Sequence, residues 1–277
     1  MDKEKLVTMN KEKLVTIIFP SRGRYDLVKK LLLSIEEKTY NKDWIEVISI
    51  CDHDDKETLN LFHEMSSQIT YDFKFISRKQ KEELDLPNDY YDLGLKLASD
   101  SYFTWILGND CEVSTDNWDD NLHQALSHSY SEIFPEIEEN KRYFYFKIND
   151  DTHWNEKGEI LNPYGDESCC FPILSSNYCK DLGEFYPKEI PTWGGDTCLF
   201  NFVKNSNKFD IIDAIEIIGI KHYSMHNKRM EQDEISKKVQ DKHIQNKVHN
   251  TDGSSYDPWM VNFKTIIDKR KKFLWKP

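Results

Sequence analysis

Asp110 stands just beyond an almost wholly apolar run, Tyr102-Phe103-Thr104-Trp105-Ile106-Leu107, with only Gly108 and Asn109 between. A run of this length, rich in aromatic and β-branched residues, suits a strand buried on both faces of a parallel sheet. Ligands of such sheets sit at the carboxyl ends of the strands. A carboxylate leaving the strand there offers hard oxygen ligands to Mg²⁺ or Mn²⁺, cations commonly shared with the phosphates of a substrate. The plain alternative for Gly108-Asn109-Asp110 is a polar turn that closes a strand.

Four other stretches carry comparable chemistry. Pro20-Ser21-Arg22-Gly23-Arg24 joins a β-branched strand to a helix, and places Ser21, Arg22 and Arg24 beside a helix N-terminus, a seat for phosphate or part of a nucleotide. Neither a GxGxxG fingerprint nor a GK[ST] P-loop occurs in the chain. Asp52, Asp54 and Asp55 follow a second strand: Asp54 or Asp55 suits the cap of the next helix, and Asp52, nearest the strand end, suits ligand contact. Pro191-Thr192-Trp193-Gly194-Gly195-Asp196 lets the backbone approach a ligand closely and delivers Asp196 at the start of a helix, as an N-cap or as a general base. His222 follows a late strand; together with His226 it has zinc-like spacing only on a helix, so it reads as one member of a mixed oxygen and nitrogen metal site or as a solvated side chain.

These residues need elements to hold them. Strands are expected at 14–19, 44–50, 71–77, 102–107, 142–148, 171–174 and 211–220. Helical spacing of apolar residues follows the first two strands, at Leu27 to Ile35 and Leu59 to Met65, and recurs near 91–98, after Trp118, after a Ser175-Ser176 cap, after Asp196, and at 259–274. Alternation of strand and helix implies parallel strands and one sheet edge that gathers the acids and arginines, including Arg78 after the third strand. Trp154 to Ile160, around Gly158, reads as a small hairpin or lid. The segment 150–168, rich in Trp, Tyr, Asp and Asn, suits acceptor contacts of the kind sugar rings take.

Composition bounds the partners. The chain has 277 residues, enough for a substantial core, and 37 basic against 49 acidic residues give a net charge of −12. That balance excludes general nucleic-acid binding, which depends on neutralising phosphates. No apolar segment approaches the ~18 residues of a membrane span, and the Lys/Glu-rich start lacks a signal-peptide core, so a cytoplasmic protein is expected. Its six cysteines show no CxxC pairs and are expected to be reduced, mostly buried thiols. The Lys3-Glu4-Lys5-Leu6-Val7-Thr8 unit recurs once at 11–16, so residues 1–13 read as a mobile leader. The basic end of the last helix, from Lys269 to Lys276, suits either a docked helix with a solvated tip or a weak contact with an anionic membrane surface.

Taken together, Val15 to Arg24 with the helix behind it, the acid after the second strand, Gly108-Asn109-Asp110 with Trp118 downstream, Trp193-Gly194-Gly195-Asp196, and His222 after a late strand resemble glycosyltransferases of the GT-A fold. The chain is most similar to the large, mainly inverting family 2 and its relatives, over residues 14–226. The resemblance implies an α/β fold, a Rossmann-like, mostly parallel central sheet flanked by helices, with a helical C-terminal extension at 227–277. It also implies a nucleotide-binding half at 14–113 and an acceptor-binding half at 114–226. A nucleotide-diphosphate sugar would be the donor, a glycan or other hydroxyl the acceptor, and Mn²⁺ or Mg²⁺ the cofactor, held at the motif called DxD.

Carried over residue by residue, Pro20, Ser21, Arg22 and Arg24 would flank the nucleotide, Asp52 would contact its base, and Arg78 would join them. Asn109 would lie near the ribose or diphosphate, Asp110 would bind the metal, and His222 would be a further metal ligand. Asp196 would be the catalytic base, and Trp154, Trp193, Gly194 and Gly195 would face the acceptor. One departure stands out: where the family usually has two acids, this chain has Gly108 and Asn109 before Asp110. Glu112 is then either a substitute ligand or an inward-facing bystander. Two other functions use the same residues, a metal-dependent phosphohydrolase or nucleotidyltransferase and a non-catalytic binder of nucleotide or carbohydrate.

Overall fold

Leu14 to Phe19 is buried at every position, as a continuous run of β-branched and large apolar residues requires when both faces of a strand are covered. The computed structural model describes residues 13–79, 85–130, 142–150, 152–154, 160–163, 169–190, 195–223, 248–249, 255–256 and 265–270. The proposed leader therefore lies outside the described residues, except for Lys13.

The first half alternates strand and helix: β1 (Lys13–Ser21), α1 (Tyr25–Lys38), β2 (Ile45–Asp52), α2 (Lys56–Met65), β3 (Asp72–Arg78), α3 (Asp92–Leu97) and β4 (Ser101–Ile106). A single π-helical turn, Pro87–Tyr91, leads into α3. β1 pairs in parallel with both β2 and β4, and β2 with β3, so the carboxyl ends of all four strands share one edge.

The second half holds β5 (Cys111–Val113), α4 (Trp118–Tyr130), β6 (Tyr143–Lys147), β7 (Thr152–Trp154), β8 (Ile160–Pro163), β9 (Ile173–Ser175), α5 (Ser176–Leu182), α6 (Gly195–Lys204), β10 (Phe209–Asp213) and β11 (Ile220–His222). The main sheet has seven strands in the order β10-β6-β9-β4-β1-β2-β3. β9 is antiparallel to both its neighbours and β10 is parallel to β6, so β9 alone runs against the rest. A second sheet, β5-β11-β7-β8, hangs from the turn after β4. β7 and β8 pair antiparallel, the hairpin expected around Gly158. A short pair, β12 (Val248–His249) with β13 (Ser255–Tyr256), completes the described strands.

Two sequence expectations change. The β-branched run 211–220 is two strands, not one. After β10 the Asp213 side chain accepts from the Ile215 amide, and the Ala214 carbonyl accepts from Ile217 and Ile218. These local bonds turn the chain out of the main sheet and into the second one, where β11 begins. Ser175 stands at the N-cap position of α5 but makes no side-chain cap; its hydroxyl accepts from the Phe144 amide of the neighbouring strand instead.

The core forms around the main sheet. Trp105 and Trp118 are fully buried with ring centroids 5.0 Å apart, and the Trp118 indole donates to Thr39 while Trp105 donates to the Phe171 carbonyl. None of the six cysteines is in a disulfide, and all but Cys170 are buried. Of the last expected helix only residues 265–270 are described; Arg270 within it is buried, so this member of the basic run does not face outward toward a membrane surface. Among the described residues no helix is long and apolar enough to cross a membrane.

The packing of α3 on β1 yields a test. A Cβ on Gly94 would stand 2.5 Å from Cγ2 of the fully buried Ile18 and 3.1 Å from Ile50 Cδ1. Gly94→Ala should destabilise the fold by roughly 1–3 kcal/mol through overpacking, despite alanine's better helix propensity. Urea unfolding measures this; an unchanged or higher midpoint would show that α3 is free to lift from the sheet.

Candidate functional site

The loops after β1 and β2 are laced together at the strands' carboxyl edge. The Gly23 amide donates to Asp55 Oδ2 at 2.6 Å, and Asp55 is also the N-cap of α2, accepting from Thr58. Asp55, rather than Asp54, is thus the capping acid. Gly23 and Arg24 both lie in the left-handed region, at φ 61° and 57°. That conformation is natural for glycine and unfavourable for arginine, so surrounding structure must hold it.

From there the two arginines diverge. Arg24 Nη1 reaches Asn109 Oδ1 at 3.2 Å and Asp110 Oδ2 at 2.8 Å. Arg22 turns the other way, to Asp52 Oδ2 at 3.2 Å and to both oxygens of Asp54. Asp52 is wholly buried and also accepts from the Tyr90 hydroxyl at 2.9 Å. Burial pushes its carboxyl above the ordinary value, opposed by the Tyr90 hydrogen bond and the charge of Arg22. Arg78 stacks 4.5 Å over the Tyr90 ring and lies 3.7 Å from Asp89, so it joins the same corner. Pro20 and Ser21 end β1 between the two arginine clusters, with Ser21 buried.

Asp110 is the centre of the other cluster. Its Oδ1 lies 3.4 Å from His222 Nε2, which β11 supplies, and the Tyr223 amide donates to the Asp110 carbonyl at 2.9 Å. Gly108 makes room for this: a Cβ there would stand 2.6 Å from Asp110 Oδ1. Burial opposes ionisation of Asp110, but the charge and hydrogen bond of His222 and the charge of Arg24 outweigh it and hold the carboxyl down at about 2.

Among the described residues, Asp110, Cys111 and His222 form the group whose ligand atoms all lie within 4.8 Å of one another. A carboxylate oxygen and an imidazole nitrogen suit Mn²⁺. Burial, then the charge of Asp110, push the Cys111 thiol well above its usual range, so the carboxylate and the borderline imidazole are the part that fits such a cation. Glu112, next along β5, instead accepts from Lys221 Nζ at 3.2 Å and from the Tyr223 hydroxyl at 2.6 Å. It is a bystander to Asp110, tying β5 to β11 from outside the ligand group.

Asp196 lies in the first turn of α6, one residue after its start at Gly195. Asp196 and Asp110 act on the same buried phenol: burial raises the Tyr91 hydroxyl, and the charges of Cys111, Asp110 and Asp196 raise it further. Gly195 is packed on Tyr186, where a Cβ would stand 3.2 Å from Tyr186 Cβ. Trp193 and Gly194 lie outside the described residues, as does the side chain of Trp154 in β7.

Two residues of this region enter the sequence reading only as parts of longer segments, Phe171 of the strand expected at 171–174 and Asp150 of the segment 150–168. Phe171 places its ring edge-on to His222, with centroids 5.0 Å apart, while its amide donates to Asp150 Oδ2 at 2.7 Å and its carbonyl accepts from Trp105. Asp150 is buried beyond the end of β6. An acid just past a strand's carboxyl end was the same signal that singled out Asp52 and Asp110.

No protein-family model and no curated protein matches the sequence. Solved structures do match the fold. S. aureus TarS 1–349 in complex with UDP aligns over 72% of this chain and 57% of its own, at 13% identity and TM-score 0.52. The mannosyltransferase PcManGT from Pyrobaculum calidifontis, in complex with GDP-Man and Mn²⁺, aligns over 96% of this chain and 70% of its own, at 13% identity and TM-score 0.51. The fold is GT-A-like. GalNAc-T7 with UDP, GalNAc and Mn²⁺ aligns over 78% of this chain and 44% of its own, again at 13% identity and TM-score 0.51. This GT-A-like chain therefore spans little more than half the length of the TarS fragment.

The electrostatics of Asp110 yield a test. Its folded value lies below the unfolded one, so the stability it contributes is present above the unfolded value and is lost as pH falls toward the folded value. That is about 2 kcal/mol, lost between about pH 4 and pH 2. Asp110→Asn should flatten the dependence of unfolding free energy on pH in that window; a slope parallel to the parent's would mean that His222 and Arg24 do not hold the carboxylate.

Proposed function

We propose that the chain is a glycosyltransferase of the family 2 type, moving a sugar from a nucleoside-diphosphate donor to an acceptor hydroxyl with inversion. The observation that carries this reading is the convergence of Arg24, Asn109, Asp110 and His222 where β1 and β4 end and β11 returns. Fold neighbours bearing UDP, UDP-GlcNAc and GDP-Man support the donor class. In this reading residues 14–113 hold the donor and 114–226 the acceptor.

The buried corner of Asp52, Tyr90 and Arg78 takes the base, and Arg22 lies between that corner and the phosphates. Arg24 supplies positive charge to the diphosphate and Asn109 a neutral polar contact beside it. Asp110 and His222 would hold Mn²⁺, which when bound supplies charge that stabilises the departing nucleoside diphosphate. Asp196 accepts the proton of the acceptor hydroxyl as that oxygen bonds to the anomeric carbon and the bond to the diphosphate breaks. Trp154, Trp193, Gly194 and Gly195 form the acceptor side.

A thermal-shift panel of nucleoside diphosphates with Mn²⁺, Mg²⁺ or chelator tests the donor site, since a ligand of the folded state raises the transition temperature. One nucleoside diphosphate should stabilise the protein, more so with Mn²⁺. Stabilisation indifferent to chelator would assign donor binding to Arg22 and Arg24 without a cation, and no shift with any nucleotide would overturn the reading. Asp196→Asn should cost on the order of 10²-fold or more in turnover while leaving donor affinity unchanged. Full turnover in that variant would remove Asp196 from the role of base.

A further inference from the structure

The C-terminal helix returns to the underside of the loop that leads to Asp196. Arg270 is buried, and its three nitrogens are all engaged: Nε donates to Glu184 Oε1 at 2.6 Å, Nη2 to Glu189 Oε2 at 2.6 Å, and Nη1 to the Ile266 carbonyl at 3.1 Å. Ile266 joins Ile190 and Cys198 in an apolar cluster separate from the main core, so the same helix touches both the loop and α6.

The clamped loop is short and closed. Gly183, at φ 68°, ends α5, and Glu184 follows. The Glu184 carboxylate also accepts from the Lys188 amide, and Ile190 donates to the Pro187 carbonyl. Between the two clamped acids stands Tyr186, whose ring supports Gly195, meets Tyr91 at 5.7 Å, and whose hydroxyl donates to the Cys170 carbonyl. Gly195 opens α6 and carries Asp196 next to it. One guanidinium thus fixes both ends of the segment on which the start of α6 rests, and its planar fork is what two carboxylates at once require.

We infer that Arg270 is a positioning residue for the acceptor side of the site: by clamping Glu184 and Glu189 it seats Tyr186 beneath Gly195 and so sets Asp196 relative to Asp110. The role of Asp196 rests on the glycosyltransferase reading; the clamp itself does not. The basic run near the C-terminus accordingly divides, with Lys269 largely exposed and Arg270 turned inward.

The test uses the full chain with Arg270→Lys, Arg270→Met, and Arg270→Met combined with Glu184→Gln, which removes the charge that the single variant would leave buried without its partner. Hydrogen exchange comes first, because it needs no activity. Amides of 184–204 should exchange about tenfold faster in both methionine variants, with 13–52 unchanged and lysine intermediate. With Mn²⁺ present, affinity for UDP or GDP should stay within about twofold of the parent, while kcat for transfer to an acceptor falls on the order of tenfold or more and donor hydrolysis does not. Unchanged exchange at 184–204, or a uniform rise along the chain, would overturn the clamp. Equal losses in hydrolysis and transfer would overturn its link to the acceptor side. Absence of nucleotide binding and transfer in the parent would overturn the glycosyltransferase reading instead, with the exchange result still deciding the clamp.

Discussion

A buried carboxylate must be compensated or it does not stay ionised, and Asp110 is compensated by two groups that the chain delivers from opposite directions. Arg24 comes from the loop after β1, where its backbone sits in the left-handed region, and His222 from β11, some two hundred positions later in the chain. The turn after β4, the loop after β1 and the second sheet are therefore fixed relative to one another by a single acid. Gly108 lets that acid fold back against the turn, and Phe171, itself held by Asp150 and Trp105, backs the imidazole. Glu112 adds a second tie between β5 and β11 on the side away from Asp110, through Lys221 and Tyr223.

The strands of the first half were legible because each is a continuous apolar run, and a parallel sheet leaves the acids that follow such runs at one edge. That rule placed Asp52 and Asp110 correctly at strand ends, and it applied equally to Asp150. What stayed illegible depends on partners remote in sequence. Nothing local marks Glu112 as a bystander; its register opposite Lys221 does. Arg270 looked like one more residue of a solvated basic run, and only Glu184 and Glu189, more than eighty positions earlier, turn it inward. The break within 211–220 has a local cause instead: Asp213 interrupts the β-branched run, and its side chain, accepting from the Ile215 amide, turns the chain there.

The same geometry bears on how such a site would bind. Two acids at this position could hold a cation by themselves, whereas here the one carboxylate is met by a guanidinium and an imidazole, and the Asn109 amide oxygen accepts from that same guanidinium. Asp110 and Arg24 together are close to neutral, and Glu112 spends its charge elsewhere. A cation would gain less here from the protein alone, and a diphosphate would gain more, since Arg24 favours the anion as much as Asp110 favours the metal. In the glycosyltransferase reading, each ligand then supplies part of the charge that the other needs, and linkage makes the coupling reciprocal. In that reading, Asn109 in place of an acid would shift the site from one loaded with metal in advance to one in which cation and donor stabilise each other on arrival.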